Sequence, residues 1–153
     1  MVISVTILLV VLASLLGVFQ VVQRQTAFVE NRSETLDTMR IAVDRMTKEI
    51  RQAKIIVPTS TATYLEMTTY VLGVEQHIVY SVVGESLSRS VGGGTRKVLQ
   101  DDLSDTHIFS YTSDAGGVIQ VVALTLSVHP PRRPETTLVL TSEVRLRNRS
   151  DAP

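Results

Sequence analysis

Leu36-Asp37-Thr38-Met39-Arg40-Ile41-Ala42-Val43-Asp44-Arg45-Met46-Thr47-Lys48-Glu49-Ile50-Arg51-Gln52-Ala53 is the stretch that decides the fold of this chain. Leu36, Met39, Val43, Met46, Ile50 and Ala53 follow one another at intervals of 3, 4, 3, 4 and 3, which puts six apolar side chains on one stripe of a helix. The opposite face carries Arg40, Asp44, Arg45, Lys48 and Glu49. Arg40–Asp44, Asp44–Lys48 and Arg45–Glu49 are spaced to pair one turn apart on that face. The stripe covers too few heptads for a coiled coil, so its expected partner is a later part of the same chain.

Upstream, no Gly or Pro interrupts the run from Phe19 to Val57, and Pro58 ends it. Upstream again, Met1 to Gln23 contains no charged side chain at all. As a helix that segment is roughly 30 Å long, about the thickness of a bilayer core. The expectation is one long N-terminal helix, its first half membrane-spanning and its second half amphipathic. A cleaved signal peptide fits less well: there is no basic start and no A-x-A-like site, and the helical pattern runs on past Gln23.

Downstream of Pro58 the period drops from 3.6 to 2. Tyr64–Val71, His77–Val83, Ser86–Val91, His107–Tyr111, Val118–Val128 and Thr136–Leu146 read as strands. Short links such as Leu72-Gly73-Val74, Gly84-Glu85 and Asp114-Ala115-Gly116-Gly117 favour antiparallel hairpins. An antiparallel sheet with one apolar face needs a lid, and the stripe is the available one. The expected class is therefore α+β: a membrane helix over 1–23, which the resemblance described below would make a filament core, its amphipathic continuation over 24–57, and an antiparallel sheet domain over 58–153.

Composition narrows the chemistry. Fifteen Lys and Arg balance fifteen Asp and Glu, which argues against a nucleic-acid-holding surface. The chain has no cysteine, which excludes disulfides, thiol nucleophiles and cysteine metal sites. Gly84-Glu85-Ser86-Leu87-Ser88 starts like a nucleophile elbow but ends in serine, and reads better as a hairpin turn. Gly92-Gly93-Gly94-Thr95-Arg96-Lys97 lacks phosphate-loop spacing and reads as a loop. Asp101, Asp102 and Asp105 are the one candidate metal cluster, for calcium, set against a solvated turn. Arg145, Arg147 and Arg149, with Arg132 and Arg133, read as a charged edge strand guarded against pairing. No constellation for catalysis emerges, and neither a cofactor nor a small-molecule substrate is expected.

The apolar helix running into an amphipathic one and then a sheet resembles type IV pilins and type II secretion pseudopilins. Met1-Val2-Ile3-Ser4-Val5-Thr6-Ile7-Leu8-Leu9-Val10-Val11-Leu12-Ala13 resembles the interior of their prepilin segment. Ala42-Val43-Asp44-Arg45-Met46-Thr47-Lys48-Glu49-Ile50-Arg51-Gln52-Ala53 is similar to the ALDRLxRDLRQA stretch of minor pilins of the PilW/GspJ type. Ile78–Val82, Leu87–Val91, Val98–Asp101, Phe109–Tyr111 and Glu143–Arg149 resemble the sheet of that group in the same order. The family's cleavage motif, G-F-T-L-V-E behind a short basic leader, is absent from this sequence: either it lies upstream of Met1, or the chain is a trimmed or diverged member.

The resemblance implies a minor pilin or pseudopilin, a structural subunit near a filament tip. It implies a single-pass inner-membrane protein with a periplasmic sheet domain, and other such subunits as partners. Helix packing within the filament would run along 2–22, at Ser4, Leu9, Ala13, Ser14 and Gly17, where small residues allow close approach. The alternative is a signal-anchored periplasmic or surface binding domain that does not polymerise.

Overall fold

The computed structural model describes the backbone of residues 2–131 and 135–147, and the side chains of 12–20, 32–131 and 135–147. Helix α1, Val2–Arg51, is followed by strands β1 Ala53–Ile56, β2 Tyr64–Val71, β3 Val74–Val83, β4 Ser86–Val91, β5 Lys97–Gln100, β6 Phe109–Ser113, β7 Ile119–Val128 and β8 Leu138–Arg145. The chain divides into two compact units, Met1–Thr35 and Leu36–Pro153.

The expected fold needs correction in four places. The helical stretches described with their side chains are 12–20 and 32–51, and among the described residues no helix is long and apolar enough to cross a membrane. The expected membrane half of the helix, and with it single-pass placement in an inner membrane, therefore do not stand. Second, α1 stops at Arg51 rather than Val57. Ala53, Ile55 and Ile56 pair instead with Thr69, Thr68 and Met67 of β2. Two adjacent isoleucines lose rotamer freedom in a helix and favour a pleated strand, and Pro58 already biases Val57 to extended backbone.

The third correction concerns the sheet, which is two sheets. β1-β2-β3-β4-β5 form one, in sequence order, and β6-β7-β8 the other, every pairing antiparallel. The fourth is two short strands that the alternation did not mark, β1 and β5, each of four residues and each with a register shift against its neighbour; of the two, β5 falls on the Val98–Asp101 stretch of the resemblance. The hairpins fall where the short links placed them. Between β2 and β3 the chain turns on Leu72 and Gly73, both at positive φ, which is the geometry of a two-residue hairpin loop.

Within the second unit the stripe meets the sheets. Met39, Val43, Met46 and Ile50 are buried on α1, Ala53 is buried as the first residue of β1, and Leu36 packs partly buried at the margin. Opposite them lie Leu65, Met67, Ile78, Tyr80 and Leu87 from the larger sheet and Val122, Leu124, Leu126 and Val144 from the smaller. Thr47 reaches Ser142 of β8, Oγ to Oγ at 3.3 Å.

Candidate assembly surface

Residues 12–20 of the first unit are exposed at every position. Leu12, Leu15, Leu16, Val18 and Phe19 leave 53%, 62%, 57%, 63% and 60% of their surface open. Leu12, Leu15, Leu16 and Phe19 recur at i, i+3, i+4 and i+7 and, with Val18, share one broad face, while Ala13, Ser14, Gly17 and Gln20 take the other. Ala13, Ser14 and Gly17 lie in the same stretch, and a Cβ added at Gly17 would meet nothing within 4 Å. Ser4 and Leu9, expected to pack with them, have side chains outside the described residues. Five exposed large apolar side chains on one face of a helix call for a neighbour that covers them.

The second unit holds its helix by a polar knot as well as by the core. Glu49 of α1 accepts from Arg89 of β4 at both oxygens, Nη2 to Oε1 at 2.8 Å and Nε to Oε2 at 3.0 Å. The Tyr80 hydroxyl of β3 donates to Glu49 Oε2 at 2.6 Å. Thr69 of β2 donates to the Glu49 carbonyl at 2.9 Å. Burial first, and then the Glu49 carboxylate, push the Tyr80 hydroxyl far above its ordinary range. Burial works against the charge on Arg89, but its bonds to Glu49 outweigh that and hold the guanidinium above its usual value. Both carboxylate oxygens of Glu49 are thus engaged, and the group acts as a tie between helix and sheet.

On the polar face, Lys48 meets Asp44 at 2.6 Å as the spacing predicts. Arg40 pairs with Asp37 rather than Asp44, and Glu49 with Arg89 rather than Arg45. A second cluster, which the spacing did not signal, lies on β2 and β3. His77 Nε2 is 2.8 Å from Glu66 Oε1, and the Tyr64 hydroxyl donates to Glu66 Oε2 at 2.8 Å. The bond from His77, then that from Tyr64, lowers the Glu66 carboxyl below its ordinary value.

Asp101, Asp102 and Asp105 do not converge. Asp105 is bonded to the backbone and ring of His107, while the Asp102 carbonyl accepts from His129 N. Among the described residues no group of three or more His, Asp or Glu stands where it could hold a metal ion. The turn reading accounts for the segment. Gly84 and Glu85 form the β3–β4 turn, and Ser88 Oγ donates to the Ser81 carbonyl inside the sheet. The 92–94 glycines and Arg96 connect β4 to β5 as a loop. Arg145 ends β8 and the Arg147 amide donates to the Arg51 carbonyl; Arg132, Arg133 and Arg149 lie outside the described residues. No known family model matches this chain, and no curated protein matches it either.

Proposed function

We propose that this protein is a structural subunit of the minor pilin or pseudopilin kind, acting through contacts between subunits and not through catalysis. The observation that carries the reading is residues 12–20: a helical stretch exposed at every position, with Leu12, Leu15, Leu16, Val18 and Phe19 on one broad face and the small residues Ala13, Ser14 and Gly17 on the other, within a segment of 23 residues that has no charge. With no charge to oppose association, a neighbour that buries such a face is best supplied by a helix of the same kind, and the small residues let a further helix approach closely. Burying a leucine side chain contributes about 1.5–3 kcal/mol, so several such residues give a substantial drive to assemble. The second unit, with its own core and its own polar tie, then serves as the part each subunit displays.

The test is amine cross-linking of the full chain through Lys48, Lys54 and Lys97, which give each chain more than one reactive group. Ladders beyond the dimer are expected, and their loss when Leu15→Asp is added. A monomer band alone, or a ladder indifferent to Leu15→Asp, would refute the proposal.

A further inference from the structure

The two sheets present four edges, and three of them are blunted. β1 and β5 have four residues each and a register shift. β6 also carries a shift, and its flank is occupied: the Phe109 amide donates to the Ala62 carbonyl, and the Tyr111 hydroxyl donates to the carbonyls of Thr61 and Tyr64. Short length, bulges and covering loops are the usual protections of an edge. β8 has none of them. It runs eight residues in unbroken register with β7, contains no proline, and among the described strands pairs with β7 alone.

The direction of its free groups follows from the ladder. The Leu146 amide donates to Gln120 of the β7 side, so residues of even number along β8 turn their backbone groups toward β7. Val139, Thr141, Glu143 and Arg145 then turn theirs outward. The Arg147 amide, next in that outward series, is taken by the Arg51 carbonyl, which closes the edge at that end and, among the described residues, leaves 138–145 open. Of the arginines expected to guard this edge, Arg145 lies on β8, with Glu143 of opposite charge on the same strand, and Arg147 lies just past its end.

We infer that the open edge of β8 is a pairing site for a second copy of β8, antiparallel about Thr141, which joins two three-stranded sheets into one. The strand suits itself in this arrangement. Leu138 comes beside Val144 of the other copy on the core side, where both are buried already. Val139 comes beside Glu143 on the outer side, no two like charges meet, and the outward amides and carbonyls of Val139, Thr141 and Glu143 all find partners. Half-exposed Val139 gains cover. This pairing is independent of the apolar helix.

The chain's lack of cysteine makes the test direct. In full-length protein, Thr141→Cys places two thiols opposite each other across the axis, where Cα atoms about 5.5 Å apart suit a disulfide. Mild oxidation should give a covalent dimer of the Thr141→Cys variant and none of Ser110→Cys, a control on the exposed side of β6. Val139→Pro removes an outward amide that the β7 ladder does not use, so it should leave the fold intact and weaken association about tenfold, what one or two lost main-chain hydrogen bonds amount to. Val139→Lys, with an unchanged thermal midpoint, serves if the proline variant does not fold. The covalent dimer formed through Thr141→Cys should persist when Leu15→Asp and Leu16→Asp are present, which separates this edge from the helix. Equal cross-linking of the Ser110→Cys control, indifference to the Val139 variants, or loss of the dimer in the helix variant would each overturn the inference.

Discussion

Glu49 shows what a side chain can do against its position in a pattern. Spacing assigns it to the polar face beside Arg45, yet it bonds Arg89 and Tyr80 in the angle between helix and sheet. Its side chain is 15% exposed and that of Arg89 17%, so each charge depends on the other. Removing one partner of a fully buried pair costs about 3–5 kcal/mol because the remaining charge is stranded; this pair keeps some solvent, so about 2–3 kcal/mol is expected. Glu49→Ala or Arg89→Ala alone should lower unfolding stability by that order in urea titration. Glu49→Met with Arg89→Met should recover much of the loss. Asp44→Ala, which breaks an exposed pair, should cost no more than about 0.5 kcal/mol. Equal losses for Glu49→Ala and Asp44→Ala would contradict the assignment.

Glu66 supplies a pH dependence with a definite sign. His77 and Tyr64 hold its folded pKa below the unfolded value, taken as 4.5. Its contribution is therefore fully present above pH 4.5 and is lost as pH falls through the lower, folded value. Glu66→Gln should be less stable than wild type at pH 6, and the difference should shrink steadily under acid. A difference that grows on acidification would reverse the sign and the argument.

At the scale of elements, the stripe was legible because a 3.6 period is printed in the sequence. Met39, Val43, Met46 and Ile50 are buried on α1. The helix end was less so. Ala53 continues the helical count, but it is buried through pairing with Thr69, a tertiary choice invisible to spacing. β5 was illegible for a similar reason: Lys97-Val98-Leu99-Gln100 is too short and too mixed to show alternation, and pairing with β4 makes it a strand. The Glu49 knot and the Glu66 cluster join residues far apart in sequence, so no local pattern could announce them. Ile50→Asp should unfold the second unit, since an unpartnered buried carboxylate costs several kcal/mol. Ile41→Asp, at a position 66% exposed, should change the thermal midpoint little. Equal midpoints for the two variants would refute the packing of α1 on the sheets.

For the whole molecule, the division into two units is also a division of labour. The second unit buries its apolar residues against itself. The first leaves them open over 12–20, and no charge in the sequence around them opposes association. The direct measurement is sedimentation velocity of the full chain beside its Leu15→Asp, Leu16→Asp variant, with circular dichroism to verify that both retain their sheets. The account predicts large, concentration-dependent species for the wild type and no species beyond the β8-paired dimer for the variant, with unchanged sheet signal. A wild-type chain that sediments as a monomer, or a variant that still forms the large species, would contradict it.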